Sequence, residues 1–506
     1  MFVRKKPNKS GVISIQIIDK SSGKYTVRQT VGSSSDPTEI AFLIKKAKQQ
    51  ILSFTKQSAF PFDKMAELEF VDTFVNHLDS FSLIGPELLL GKIFDEIGFN
   101  AIEEKLFRHL VITRLVYPVS KLKTTDYLFK YKGIETSVYR IYRYLDKLHN
   151  DQVEQVKAIS VLHTLQLFGN VLSIVFYDVT TLYFEASEED ELRKMGFSKD
   201  GKHQQPQIVL GLLVSENGYP LDYNIFEGNK YEGDTLLPVI EHFEARYKLE
   251  KLIVVADAGL LSAKNIALLK TKKYQYILGG RIKKESASII SQILNLKLKD
   301  KQTEEIKKVD ERLVVSFKEQ RAHKDAHNRK RGLEKLEKNL KTGKLNKKQI
   351  NNKGYNKYLK MDGDISIVID YDKYHDDAKW DGLKGYVTNT GLTKEEVIEK
   401  YNQLWTIEKT FRISKSDLQI RPIYHRLKRR IEAHICISFA ACKIYKELER
   451  QLKEKKSELS PQKAIDILKT IYKVTIQTPY SLTMHERMII KNQEQSDLIE
   501  LFDLKL

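Results

Sequence analysis

The chain has 506 residues, room for about three domains. It carries 85 Lys and Arg against 67 Asp and Glu, a formal charge of +18. Hydrophobic residues make up 41% and aromatic ones 10%, which excludes a wholly disordered chain. Only two cysteines occur, Cys436 and Cys442. They exclude a disulfide scaffold and a cysteine-rich zinc module, and they suit a reducing cytoplasm.

The basic N-terminus has no apolar stretch behind it, so no signal peptide is expected. No run of about 18 apolar residues predicts a membrane span. The excess of positive charge favours a polyanionic partner, nucleic acid first.

In chain order, Val12 to Ile17 and Tyr25 to Thr30 alternate around a turn at Ser21 to Lys24. Asp36 then caps a helix to about Ser53, so 1–60 reads as a strand–strand–helix unit. Residues 61–165 read as helical, with apolar positions three or four apart in 88–97, 103–116 and 139–148. Within them, 120–128 and 133–145 fit helix, turn, helix, and the second helix carries Arg140 and Arg143. That pattern suits a helix in a DNA major groove, and it equally suits a helical bundle with solvated arginines.

From about residue 171 the texture becomes strand-like. Leu172 to Tyr177 runs into Asp178, 207–214 and 220–226 form a hairpin, and a helix follows over 234–247. Lys251 to Ala256 runs into Asp257, Ser262 caps another helix, and 274–280 is a further strand. This is an α/β pattern with a mixed sheet. The layout expected is a catalytic domain from 166–287 and 386–450, interrupted by a basic insertion at 288–385, and a C-terminal tail at 451–506. Within the insertion, 318–360 holds 15 Lys and Arg against 4 Asp and Glu. Leu333, Leu336 and Leu340 suggest a helix there, and a loop is expected from Asn346. The run fits either a nucleic-acid contact or a solvated charged helix. Thr393 caps a long helix expected to reach about Leu418, and 427–452 forms another.

Asp178 and Asp257 each end an apolar run. If the two strands are neighbours, both carboxylates meet at one sheet edge, where a divalent cation would relieve their repulsion. Oxygen-only ligands suit Mg²⁺ or Mn²⁺. Tyr401, Glu408 and Lys415 are spaced by seven and would share one helical stripe, with Trp405 and Phe411 packing that helix on the sheet. A plain amphipathic surface helix fits the same spacing. Arg421, His425, Arg426 and Lys428 to Arg430 form a cluster that either grips phosphate or is a solvated turn. His323 and His327 lack a third metal ligand and read as a solvated or DNA-facing pair. His434, Cys436 and Cys442 read as core residues. Gly279, Gly280 and Arg281 lack the Lys-Ser/Thr that completes a nucleotide-binding loop.

Strand-borne Asp178 and Asp257 with helix-borne Glu408 resemble the catalytic triad of DDE transposases from bacterial insertion sequences. The group with a Tyr-x2-Arg-x3-Glu-x6-Lys signature is the most similar. Tyr401, Glu408 and Lys415 match it; Leu404 stands where the signature arginine would, and Arg412 could replace that arginine. Segments 177–185, 228–229, 255–259, 381–389 and 421–426 add to the resemblance. It implies an RNase H-like mixed-sheet core interrupted by a large insertion, with a helical DNA-binding region. It implies two Mg²⁺ ions (Mn²⁺ as a substitute) held by Asp178, Asp257 and Glu408, for phosphoryl transfer on DNA. Lys415 would hold a phosphate and Tyr401 would position the DNA backbone; Arg412, Arg421, His425, Arg140 and Arg143 are the further DNA-binding candidates. The expected partners are double-stranded DNA, at terminal inverted repeats and at a target, and a second copy of the chain in a synaptic dimer. A bacterial, nucleoid-associated, cytoplasmic location follows. A non-catalytic DNA-binding derivative and an RNase H-like nuclease are the alternatives, and a hairpin intermediate stays open.

Overall fold

Alternating residues near the N-terminus and continuous apolar runs further on build two units, 1–80 with 474–486 and 81–473 with 487–506. The structure is a computed structural model. It describes all residues except 10, 56–61, 171, 199–200, 203, 248–251, 261–262, 346–349, 352–353, 363–365 and 479–480. The cap expected at Ser262 and the loop expected from Asn346 begin outside the described residues.

In the first unit, β1 (Phe2–Pro7), β2 (Ile13–Asp19) and β3 (Thr26–Ser34) form an antiparallel sheet covered by α1 (Pro37–Thr55). Ile15 and Ile17 of β2 pack on Ile40, Leu43 and Ala47 of the helix. The expected two strands are therefore three. The extra strand is basic, yet its register sets Val3 opposite Ile17, and Arg4 Nη2 donates to Gln16 Oε1 at 2.7 Å. α2 (Phe62–Asn76) follows, then β4 (Leu78–Leu83), a strand inside the stretch expected to be wholly helical. Phe81 and Leu83, two apart, share a face of it.

The second unit continues with α3 (Lys92–Ile97), α4 (Lys105–Val116), α5 (Lys121–Lys132), α6 (Val138–Lys147) and α7 (Val153–Leu167). Then come β5 (Ile174–Tyr183), β6 (Gln207–Ser215), β7 (Pro220–Glu227), α8 (Leu236–Tyr247), β8 (Ile253–Ala256), α9 (Ala263–Thr271) and β9 (Gln275–Gly280). α10 (Ala287–Asn295), β10 (Thr303–Lys307), β11 (Arg312–Phe317), the basic α11 (Glu319–Lys341), β12 (Leu359–Asp362), β13 (Ser366–Ile369), α12 (Tyr371–Asp376) and β14 (Leu383–Thr388) follow. The chain closes with α13 (Lys394–Asn402), α14 (Trp405–Arg412), α15 (Lys428–Glu454), α16 (Pro461–Leu468), β15 (Tyr472–Gln477), β16 (Met484–Ile489) and α17 (Gln493–Phe502).

Eight strands form one mixed sheet in the order β10-β11-β14-β9-β8-β5-β6-β7. β5, β8 and β9 run parallel; every other pairing is antiparallel. Both faces are covered, which is why the central strands are continuously apolar. Ile174 and Phe176 point into one core with Ile431, Ile435 and Phe439 of α15. Val175 and Tyr177 point into the other, with Val239 and Phe243 of α8.

Several expectations change. β5 does not end at Asp178: Val179, Thr180, Thr181, Leu182 and Tyr183 are β-formers and stay paired with β6 through Tyr183 and Gln207. The 288–385 segment is not a separate insertion throughout, because β10, β11 and β14 extend the main sheet. Beyond β11, Leu336, Tyr358, Leu359 and Ile369 make a small core of their own beneath α11. The helix expected to reach Leu418 breaks between Asn402 and Trp405 and passes into a wider turn at 413–417. Residues 451–506 are no polar tail, since Ile465, Leu468, Ile471, Leu498 and Phe502 are buried in the main core.

The helical layer is tied to the sheet by a buried ion pair. Lys157 of α7 and Asp222 of β7 are 4% and 1% exposed. Lys157 Nζ lies 2.8 Å from Asp222 Oδ1 and donates to the Tyr223 carbonyl at 2.8 Å. Asp222→Ala leaves the buried ammonium only the exposed Glu154, 3.6 Å away, as a counter-ion, and a loss of about 3 kcal/mol is expected. The check is the urea midpoint, which should fall, and fall far less in the double variant Asp222→Ala, Lys157→Met.

Candidate active site

In parallel strands β5 and β8, Ile174 pairs with Ile253 and Tyr177 with Ala256. The next residue on each chain is a carboxylate. Asp178 and Asp257 therefore stand at the same level on neighbouring chains, about 4.8 Å apart at the backbone. Alternation puts Asp178 on the face of Ile174 and Phe176, where Tyr401, Ile407 and Phe411 pack. Asp178 is half-buried; Asp257, just past the end of β8, is exposed.

Tyr401, 4% exposed, reaches from α13 and donates its hydroxyl to Asp257 Oδ1 at 2.9 Å. Burial first, then the charge of Asp257, pushes the phenol above its ordinary value, so it stays a donor. Its ring meets Tyr386 edge-on at 4.9 Å, and Lys384 Nζ sits 4.4 Å from its centroid. Burial lowers the Lys384 ammonium to about 8, with Arg321 and Lys318 acting the same way and Asp257 and Glu408 opposing. Both acids thus act on Lys384.

The approach of Tyr401 requires glycine at 279. A Cβ there would lie 2.5 Å from the Tyr401 hydroxyl and 2.9 Å from the Ala258 nitrogen. From the end of β9, Arg281 Nη2 and Nε donate to the Ala258 carbonyl at 2.8 and 3.1 Å. They fix the turn that follows Asp257. Glu232, in the short turn before α8, meets the same loop: a Cβ on Gly259 would be 4.0 Å from both Asp257 Oδ2 and Glu232 Oε2.

Glu408 lies exposed on α14. The break before α14 corrects the expected stripe, because Tyr401 turns inward while Glu408 faces solvent and Lys415 sits half-buried in the following turn. Phe411 packs into the core, but Trp405 is 57% exposed and does not pack the helix on the sheet. Leu404, at the signature arginine position, is buried, and Arg412 is exposed. Arg421 lies over the Tyr183 ring at 5.6 Å. His425 meets Tyr142 edge-on, and burial together with Lys121, Arg114 and Arg430 drives its imidazole down to about 3. Arg140 and Arg143 are exposed on α6, which Asp146 anchors to Arg430 of α15 at 2.9 Å.

The structure thus brings Asp178, Asp257 and Tyr401 to one place, with Lys384 over the Tyr401 ring and the charges of Asp257 and Glu408 both acting on that lysine. By donor chemistry the three carboxylates fit a hard divalent cation. By geometry, no group of three or more His, Cys, Asp or Glu among the described residues is set to hold a metal ion. Sequence reasoning missed Lys384, Glu232 and the role of Arg281. The one signal for Arg281 is its place straight after the Gly279-Gly280 end of an expected strand, a run that the sequence alone sets only against a nucleotide-binding loop.

The model of the transposase DDE domain family matches residues 169–442. No curated protein matches the sequence. Among solved structures, the chain is similar to a piggyBac transposase synaptic complex with hairpin DNA, at 11% identity and a TM-score of 0.38, over 76% of this chain and 79% of that one. It is also similar to a Mos1 transposase paired-end complex with left transposon end, at 10% identity and a TM-score of 0.16, over 31% and 53%. The family match spans more than half of the sequence and contains both aspartates, Tyr401 and Glu408; the chain belongs to the transposase DDE domain family of DNA transposases.

Proposed function

We propose that this DNA transposase cuts and joins DNA at the terminal inverted repeats of an insertion sequence, with Asp178, Asp257 and Glu408 as its catalytic acids. The observation that carries this reading is the side-by-side placement of Asp178 and Asp257 by the β5–β8 register. The strand order β7-β6-β5-β8-β9, three antiparallel strands continued by two parallel ones, supports reading the core as RNase H-like.

DDE transposases use divalent metal ions, and Mg²⁺ or Mn²⁺ is proposed here, held by Asp178, Asp257 and Glu408. When bound, such an ion supplies Lewis-acid polarisation of the scissile phosphate and activation of water or a 3′-hydroxyl. The chain's own residues set the stage. Tyr401 fixes one oxygen of Asp257, Oδ1. Arg281 holds the turn behind it. Lys384 balances charge between Asp257 and Glu408. Lys415, Arg412, Arg421, His425, Arg140 and Arg143, with the basic 318–360 segment, are proposed to contact DNA phosphates. Two copies would pair two DNA ends, in a bacterial cytoplasm.

The test is incubation of purified protein with labelled duplex carrying the element's terminal repeats, in Mg²⁺, Mn²⁺ or EDTA. Metal-dependent nicking at the repeat ends is expected. Asp178→Asn, Asp257→Asn and Glu408→Gln should each lower it about 10³-fold or more, an effect of several kcal/mol, while duplex binding persists. Tight end binding without cutting in any metal would replace this reading with a non-catalytic DNA-binding protein.

Tyr401→Phe removes one hydrogen bond to a charged acceptor, so cleavage should fall about tenfold to hundredfold. Gly279→Ala should do the same by displacing the tyrosine, with an unchanged circular dichroism spectrum. A normal rate in both would refute the positioning role.

Lys384 offers a pH signature. Its folded value near 8 lies below the ordinary lysine value of about 10.4. Over that window the unfolded chain binds the extra proton, so this group makes folding more favourable as pH rises. Lys384→Met should remove a rise of about 1 kcal/mol between pH 8 and 10, after allowance for solvent screening. The difference in urea midpoints of the two proteins at those pH values is the measurement.

A further inference from the structure

Between the start of α5 and the connection from α14 to α15 lies a cavity of about 390 Å³. Its wall includes Arg114, Lys121, Tyr142, Arg421, His425 and His434. Arg114 and Lys121 are each only 6% exposed. Among the described residues no carboxylate pairs with either. Among the described residues the polar partner of the Arg114 side chain is a histidine: His434 Nε2 lies 3.0 Å from the Ile420 carbonyl and donates to it, which leaves Nδ1 to accept from Arg114 Nη2 at 3.4 Å. His434 is therefore neutral. Burial lowers Arg114 to about 10, and burial and Arg114 together lower Lys121.

Two cations withdrawn from water beside two neutral imidazoles are a costly arrangement without an anion. The backbone adds to the positive field. α5 is 12 residues long and begins at this wall, where Ser120 Oγ accepts from the Lys123 amide at 3.3 Å. The first turn of a helix favours an anion.

We propose that this cavity is a phosphate site, in which a phosphate group sits among Arg114, Lys121 and the first turn of α5. The cavity is larger than one phosphate and leaves room for an attached sugar. At its rim stand the exposed Tyr424 and Leu122, with Arg426 two residues beyond Tyr424 and Lys123 straight after Leu122. These features fit a phosphate of a DNA backbone; a free phosphate compound would offer the same chemistry. In the DNA case the inference rests on the DNA-binding reading above. It assigns a phosphate contact to Arg114 and Lys121, which the acids and the signature helix do not require.

The experiment uses the full chain in two arms. In the first, apparent Tm is read in sodium phosphate and in sodium chloride of equal ionic strength. Phosphate should raise Tm of the wild type. Lys121→Met should raise Tm in chloride, because an uncompensated buried charge is gone, and should abolish the response to phosphate. Arg114→Gln gives an independent reading should the first variant fold poorly. In the second arm, binding to an end-repeat duplex is measured by anisotropy from low to high salt. A backbone phosphate in the cavity predicts that Lys121→Met lowers the slope of log K against log salt by about one. A lost phosphate response with an unchanged slope would support the site with free phosphate as its ligand. An unaltered phosphate response together with an unaltered slope would overturn it. Failure of the DNA-binding reading would show separately, as no duplex binding by the wild type.

Discussion

The parallel pairing of β5 with β8 is the constraint on which the site depends. A parallel ladder forces equal spacing along both strands, so one register fixes two side chains at once. With Tyr177 opposite Ala256, Asp178 and Asp257 can only be neighbours. A slip of one residue would bury one carboxylate in the opposite core. The register is itself held by two apolar cores, since β5 and β8 alternate residues into both. The position of the acids is thus a by-product of burying Phe176, Val255, Tyr177 and Val254.

Around that pair the supporting contacts come from different parts of the chain. β9 gives up a side chain at Gly279 so that Tyr401 can approach, and then supplies Arg281 to hold the turn. β14 (Leu383–Thr388) straddles the boundary between the interval read as an insertion and the catalytic segment after it, and supplies Lys384 from the former and Tyr386 from the latter. The acids' surroundings are therefore partly built by the segment that interrupts the core.

Much of this was legible in the sequence. The apolar runs marked five of the eight strands, and Asp257 could be placed at a strand end because Leu252 to Ala256 is continuously apolar and then stops. Asp178 was harder, since Val179 to Tyr183 carries threonines that dilute the apolar signal while still favouring a strand. The break after Asn402 has no proline or glycine to announce it, so the seven-residue spacing of Tyr401, Glu408 and Lys415 suggested a stripe that the backbone does not provide. Lys384 falls in a stretch that no apolar run marked as a strand, and Arg114 and Lys121 looked like the solvated charges of amphipathic helices. Their burial arises from packing between helices far apart in sequence, which periodicity cannot report.

The way the sheet closes over 318–382 bears on how this chain can change. Phe317 at the end of β11 faces Leu383 at the start of β14, and the Lys318 amide donates to the Gly382 carbonyl at 3.1 Å, so the whole basic excursion leaves and returns through one closed neck. Closing such a loop costs only about 0.6 kcal/mol more for each doubling of its length. Residues can be gained or lost between those two strands with little penalty to the sheet. The lineage is free to remodel this excursion while Asp178 and Asp257 stay where the central ladder puts them.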